Sequence, residues 1–147
     1  MKKRAFVTAT LFVLSILAAA QVAQAKEPMS VNIPFQFVAG DVTLPAGEYR
    51  VEKLDGNSAV LLIHCSDPNT SVMVMTHAAQ AKKLQTQSIL VFNRYDNRYF
   101  LSQVWTAGSI RGRQLPKSPR EKELARVASI ETKAEVTLVA RLTPTHP

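Results

Sequence analysis

Val31-Asn-Ile-Pro-Phe-Gln-Phe37 alternates apolar and polar side chains one for one. An extended strand puts every second residue on one face, so this stretch predicts a strand with a single buried side. Pro34 has no N–H to give a neighbouring strand, which places it at a sheet edge or a bulge. Just downstream, Leu44-Pro-Ala-Gly-Glu-Tyr49 reads as a corner between strands. Pro45 fixes φ at the first central turn position, and Gly47 is expected to supply a positive φ. Tyr49 is then placed to turn its hydroxyl back onto upstream backbone, as in the tyrosine corner of Greek-key sandwiches.

The period of two recurs along the chain. Val51 continues it, Asp55-Gly-Asn57 marks a turn, and Ala59 to Cys65 is apolar on both faces. Asp67-Pro-Asn-Thr70 has the chemistry of a type I turn, after which Ser71 to Thr76 returns as a strand. Ala81 to Gln87 is polar and reads as a loop. Ile89–Tyr95 and Arg98–Thr106 flank Asp96-Asn97, a two-residue hairpin turn, because Asx residues tolerate positive φ. The period changes once. Ser118-Pro-Arg-Glu121 offers a capping box, and Leu124, Val127 and Ala128 then form one apolar stripe, which predicts a short helix near residues 119–128. Lys133 to Leu142 alternates again, with Ala134, Val136, Leu138 and Ala140 on one side. The fold class is therefore mainly β, a single antiparallel sandwich or small barrel of about seven strands with one short helix.

The first 25 residues stand apart from this pattern. Lys2, Lys3 and Arg4 precede an apolar run from Ala5 to Ala20, and Ala23-Gln-Ala25 supplies a small-x-small site before Lys26. That order predicts a secretory signal peptide, removed to leave residues 26–147 as one exported β-rich domain, periplasmic or extracellular. A membrane anchor is the competing reading, but the run is short for a span of ~20 residues. The formal charge is +7 over the 147 residues; the three leading cations account for part of it, leaving +4 on residues 26–147. That balance does not support nucleic acid as a partner. Cys65 is the single cysteine, so no internal disulfide can form; it is either a buried inert thiol or half of an intermolecular bridge.

Catalytic and metal constellations do not emerge. His64 and Cys65 are adjacent and point to opposite strand faces, so they cannot share an ion. With Asp67 and Thr70 closing the turn, His64 is expected opposite Met73 and His77 opposite Val60, roughly 13 Å apart along the ladder. That is too far for one zinc. In Gly108-Ser-Ile-Arg-Gly112 the serine is second rather than third, unlike a nucleophile elbow. No phosphate-cradling glycine loop appears among the five glycines. Neither a catalytic residue nor a metal or cofactor is expected.

Two surfaces remain candidates for binding. Residues 111–126 concentrate charge: Arg111, Arg113, Lys117 and Arg120, followed by Lys122 and Arg126, against Glu121 and Glu123. Such a patch can meet anionic polysaccharide, a lipid surface or an acidic protein; it can equally be a solvated loop and helix. The hairpin carrying Phe92, Arg94, Tyr95, Arg98, Tyr99, Phe100 and Trp105 offers either a binding face or cross-strand core packing.

The segments Val31–Gly40 and Leu44–Tyr49, with Ser102-Gln-Val-Trp105 and Ser118-Pro-Arg-Glu-Lys-Glu-Leu124, resemble small, uncharacterised, signal-peptide-bearing secreted β-domain proteins abundant in some soil bacteria. The similarity runs in order over most of residues 31–127. It implies a secreted, mainly β domain and transfers no catalytic or ligand residues. By itself, Leu44–Tyr49 is also similar to strand corners of immunoglobulin-like and prealbumin-like extracellular modules. The functional expectation is a non-enzymatic binding or structural module. The alternative is an envelope hydrolase or isomerase, or a small-ligand carrier, with a site assembled from dispersed residues.

Overall fold

The computed structural model describes residues 28–54, 59–128 and 133–142. The predicted signal segment 1–25, the predicted turn at Asp55–Asn57 and His146 lie outside those residues. In chain order the elements are β1 (Met29–Ile33), β2 (Phe37–Ala39), β3 (Val42–Leu44), β4 (Gly47–Lys53), β5 (Val60–Cys65) and β6 (Ser71–Met75). They continue with β7 (His77–Gln80), β8 (Ser88–Tyr95), β9 (Arg98–Trp105), β10 (Arg111–Gln114), helix α1 (Pro119–Val127) and β11 (Lys133–Leu142). The chain is thus mainly β, as the alternation requires, with eleven described strands where about seven were expected.

The strands form one sheet that curls into a nearly closed barrel. β1, β4, β5 and β6 are consecutive antiparallel neighbours. On the other side β1 pairs β11, then come β8, β9, β10 and β7. Thr76 alone separates β6 from β7, so a single bent strand pairs β5 with its first half and β10 with its second. Such a switch of partner at a bend is how a sheet turns a barrel corner. β8, β9 and β10 follow one another as hairpins, and β10 returns beside β7, a Greek-key connection.

The β2–β3 hairpin extends the sheet beside β9. Pro34 ends β1 instead of sitting within it, and Phe37 begins β2, which runs parallel to β9. Gly40 turns the hairpin with φ 62°, a conformation that a Cβ resists, and its tip lies against Val74 of β6. Phe37, Ala39 and Leu44 are buried with Val31, Ile33, Tyr49, Val51, Leu61, Ile63, Leu90 and Phe92 in one core. Phe37 meets both Tyr49 and Phe92 edge-on, at centroid distances of 5.1 and 5.5 Å.

The corner at residues 44–49 behaves as expected in one respect and not in another. The Tyr49 hydroxyl donates to the Pro45 carbonyl at 2.6 Å. Gly47, however, has no positive φ; it is the first residue of β4, and the expectation for it is corrected. Other corrections concern register and side-chain roles. The Asp67 carbonyl accepts from Thr70 N–H at 3.2 Å, the expected turn, but the ladder is shifted by two residues: His64 faces Ser71 and Val60 faces Met75. The reason is that Cys65 N–H bonds the Thr70 carbonyl, so the ladder closes on a four-residue loop, 66–69, longer than the two-residue loop of a hairpin closed at Asp67. His77 does not pair β5 at all but sits opposite Gln114. Cys65 is half-buried rather than buried. In the 89–106 hairpin, Phe92, Tyr95, Phe100 and Trp105 are buried, so core packing claims most of its aromatics.

Helix α1 starts as the capping pattern predicts: Ser118 accepts from Glu121 N–H at 3.2 Å, with Pro119 behind it. Its stripe is not its anchor. Val127 is 78% exposed, whereas Glu121 is buried and holds the helix to β8 through Asn93 and Tyr95.

Candidate functional site

One end of the barrel changes character. Along β4, Tyr49 and Val51 point inward and are buried, and Lys53 is the next residue on that side. Along the bent strand Val74 and Thr76 are buried, followed on the same side by Ala78 and Gln80. On β10, Arg113 lies opposite Ala78 and Arg111 opposite Gln80. The same alternation leads from these arginines to the buried Leu115. Interior-facing positions thus turn from apolar to cationic, and Lys53, Arg111 and Arg113 line a groove of about 520 Å³ with Ala78, Ala79, Gln80 and Gly112.

The three cations differ in restraint. The Arg113 guanidinium donates from Nε to Thr76 Oγ1 at 2.7 Å and from Nη2 to the Thr76 carbonyl at 2.9 Å. Thr76 in turn donates, from Oγ1 and from its backbone N–H, to the Ala59 carbonyl at 2.7 Å each. Arg113 therefore fastens the bend that closes the barrel while lending its charge to the groove. The Arg111 side chain is exposed and has no hydrogen bond or ion pair among the described residues.

Of the four cations singled out in the sequence, the structure brings together Arg111 and Arg113. Arg120 projects from the first turn of α1 into a separate depression of about 180 Å³, with Arg98, Asn97, Thr43 and Tyr99. Lys117 is exposed on the chain between β10 and α1 and lines neither depression. Lys53 was missed, whereas Arg98 belongs to the hairpin already weighed as a binding face. The usable signal for Lys53 is its parity with Val51, which says that it faces inward.

A third depression, about 380 Å³, is lined by Ser30, Glu48, Arg50, Glu52, His64, Cys65 and Ser66 beside Tyr49. His64 Nε2 lies 3.2 Å from Glu52 Oε1, and Arg50 is the direct cross-strand neighbour of His64. Charges of both signs meet there, which makes it a paired surface rather than an anion trap. Among the described residues no three His, Cys, Asp or Glu side chains gather to hold a metal, and no helix is long and apolar enough to cross a membrane.

The chemistry available at the cationic groove is attraction and hydrogen bonding to negative oxygen: guanidinium forks suit carboxylate, sulfate and phosphate. Compared with family models, with curated proteins and with solved structures, the chain shows no match.

Proposed function

We propose that the protein is an exported, non-enzymatic β-barrel module, working in the periplasm or outside the cell, that binds an anionic partner at its cationic end. The observation that carries this reading is the convergence of Lys53, Arg111 and Arg113 from three strands on one groove whose described lining contains no carboxylate. The filled interior supports a module over a carrier, because buried side chains such as Phe37, Tyr49, Leu90 and Phe92 pack into one core where a barrel would hold a ligand. Anionic polysaccharide, a lipid surface and an acidic protein share the chemistry that the groove addresses.

Export is tested by the N-terminus of the protein recovered from periplasm or medium. Mass spectrometry should find Lys26 first; an intact Met1 would sink the export claim. Binding is tested by retention on heparin and on anionic vesicles across a salt gradient. Arg111→Ala should elute at clearly lower salt, with an affinity loss of about fivefold at low ionic strength, the equivalent of ~1 kcal/mol for one solvent-facing charge. Arg111 is the residue to change, because removing Arg113 would also release Thr76. Elution identical to the wild type on both supports would overturn the reading.

A further inference from the structure

The outer wall of the barrel carries a second, unrelated feature. From Ser71 to His77 exposure alternates residue by residue straight through the bend: Met73, Met75 and His77 are exposed, Val74 and Thr76 buried between them. Met73 and Met75 are each 66% exposed. Methionine is ordinarily among the more buried side chains, and the chain's Met29 follows that rule at 6%. Here two thioethers are held outward on a regular strand, with a histidine as the next residue on the same side.

The spacing suits a shared ion. Alternate residues of a strand lie ~6.5 Å apart. A methionine side chain has three rotatable bonds, so two such neighbours can bring their sulfurs onto one point between them. The Met73 and Met75 partners across the β5–β6 ladder are Leu62 and Val60, which give the sulfurs an apolar flank and no competing charge. His64 faces Ser71, diagonal to Met73, and its Nε2 is turned to Glu52.

We infer that Met73 and Met75 form a two-sulfur surface site for a soft monovalent cation, in biological terms Cu(I); His77, ~13 Å along the strand from Met73, is too far to share the ion. Ligand softness selects the metal: two neutral thioethers favour Cu(I), and they disfavour Mg²⁺ and Ca²⁺, which want oxygen. Thioethers are poor ligands for Zn²⁺, whose protein sites use thiolate, imidazole and carboxylate. No proton need leave a sulfur for the site to form, so the thioethers stay competent in acid as well as at neutral pH. The site lies on the outer wall, away from the cationic end, and stands whether or not an anionic partner binds there.

The test uses purified protein carrying Cys65→Ala, so that no thiolate can supply the ion, under anaerobic reducing conditions with Cu(I) in competition with bicinchoninate. One equivalent of Cu(I) should be withdrawn from the chelator. Met73→Leu/Met75→Leu keeps volume at exposed positions and should weaken binding at least tenfold; His77→Ala, out of reach of the sulfur pair, should leave it unchanged. With Ag(I) as a redox-inert probe and ¹³C-methyl methionine, the Met73 and Met75 resonances should shift while Met29 stays in place. Failure of the wild type to compete, equal binding by the double leucine variant, or displacement of Cu(I) by equimolar Zn²⁺ would each overturn the assignment.

Discussion

Gly112→Ala should lower stability by about 2–3 kcal/mol, or roughly 10 °C in Tm, although a single methyl is added to a strand. Gly112 sits between two partners, Trp105 on β9 and Ala79 on β7. The indole lies flat on its backbone: a Cβ there would fall 2.4 Å from Trp105 Cε3 and 2.7 Å from Cδ2 and Cζ3. Its φ is not in the left-handed region, so an alanine meets no backbone strain and would by propensity favour the strand. The cost is therefore the contact alone. To make room, the ring must leave a site where it is 8% exposed and where Nε1–H donates to Gln103 Oε1 at 3.0 Å. Trp105 is the single tryptophan, so its emission reports the displacement directly and should shift to the red. A Trp105→Leu background removes the clash; there the same substitution should cost under about 0.5 kcal/mol, leaving most of the effect as coupling. An unchanged Tm in the Trp105 protein would show that the indole does not hold this pose.

The sequence announces the strands that alternate and hides those that do not. Val31–Ile33, Tyr49–Val51 and Ala134–Ala140 carry their buried side in their own spelling, and their neighbours across the ladder only confirm it. His77-Ala-Ala-Gln80 and Arg111-Gly-Arg-Gln114 have no apolar period, because they pair at the barrel's polar end where the inward positions need not be apolar. β2 and β3 are three residues each and exist as strands only because β9 lies beside Phe37 and Val38. Closure, likewise, depends on one bend at Thr76 and on an arginine from a strand 37 residues away in the chain. No local window contains that information.

The candidate site divides along the same line. Arg111 and Arg113 were visible as charge, but their division of labour was not, since it turns on whether a side chain has Thr76 within reach. Lys53 looked like an ordinary strand-end lysine until Val51 fixed its parity. The methionines were hidden by chemistry rather than by fold. A search for nitrogen, thiolate and carboxylate ligands passes over thioethers, and only their exposure sets Met73 and Met75 apart from two more core residues.

Glu121→Ala should cost about 3 kcal/mol, for a reason opposite to the one its sequence position suggests. At the third residue of a capped helix a glutamate is expected to reach back towards the cap. Here the carboxylate is 4% exposed and accepts from Asn93 Nδ2 at 2.8 Å and from the Tyr95 hydroxyl at 3.3 Å. No cation contacts it among the described residues; the positive end of α1 and two neutral donors hold its charge. Alanine would strand both donors beneath the helix, and an unsatisfied buried donor costs about 1–3 kcal/mol. Glutamine keeps one acceptor and should cost about half as much. The same carboxylate shapes the alkaline limit of stability. The Tyr95 phenol is pushed up to about 12, by burial first and by the charge and hydrogen bond of Glu121 second; Tyr49 is also raised to about 12, by burial and then by Cys65. In the unfolded chain both ionise near their ordinary value of 10. Unfolding therefore releases protons between pH 10 and 12, and the stability that the two phenols contribute, complete below pH 10, drains away as pH rises through 12. Glu121→Gln takes away the charge but leaves the burial, so over that window its stability should fall less steeply than that of the wild type. Chemical denaturation at stepped pH measures both slopes; parallel curves would mean that Tyr95 does not sense Glu121, and a Glu121→Ala protein as stable as the parent would remove the buried acceptor from the account of how α1 is held.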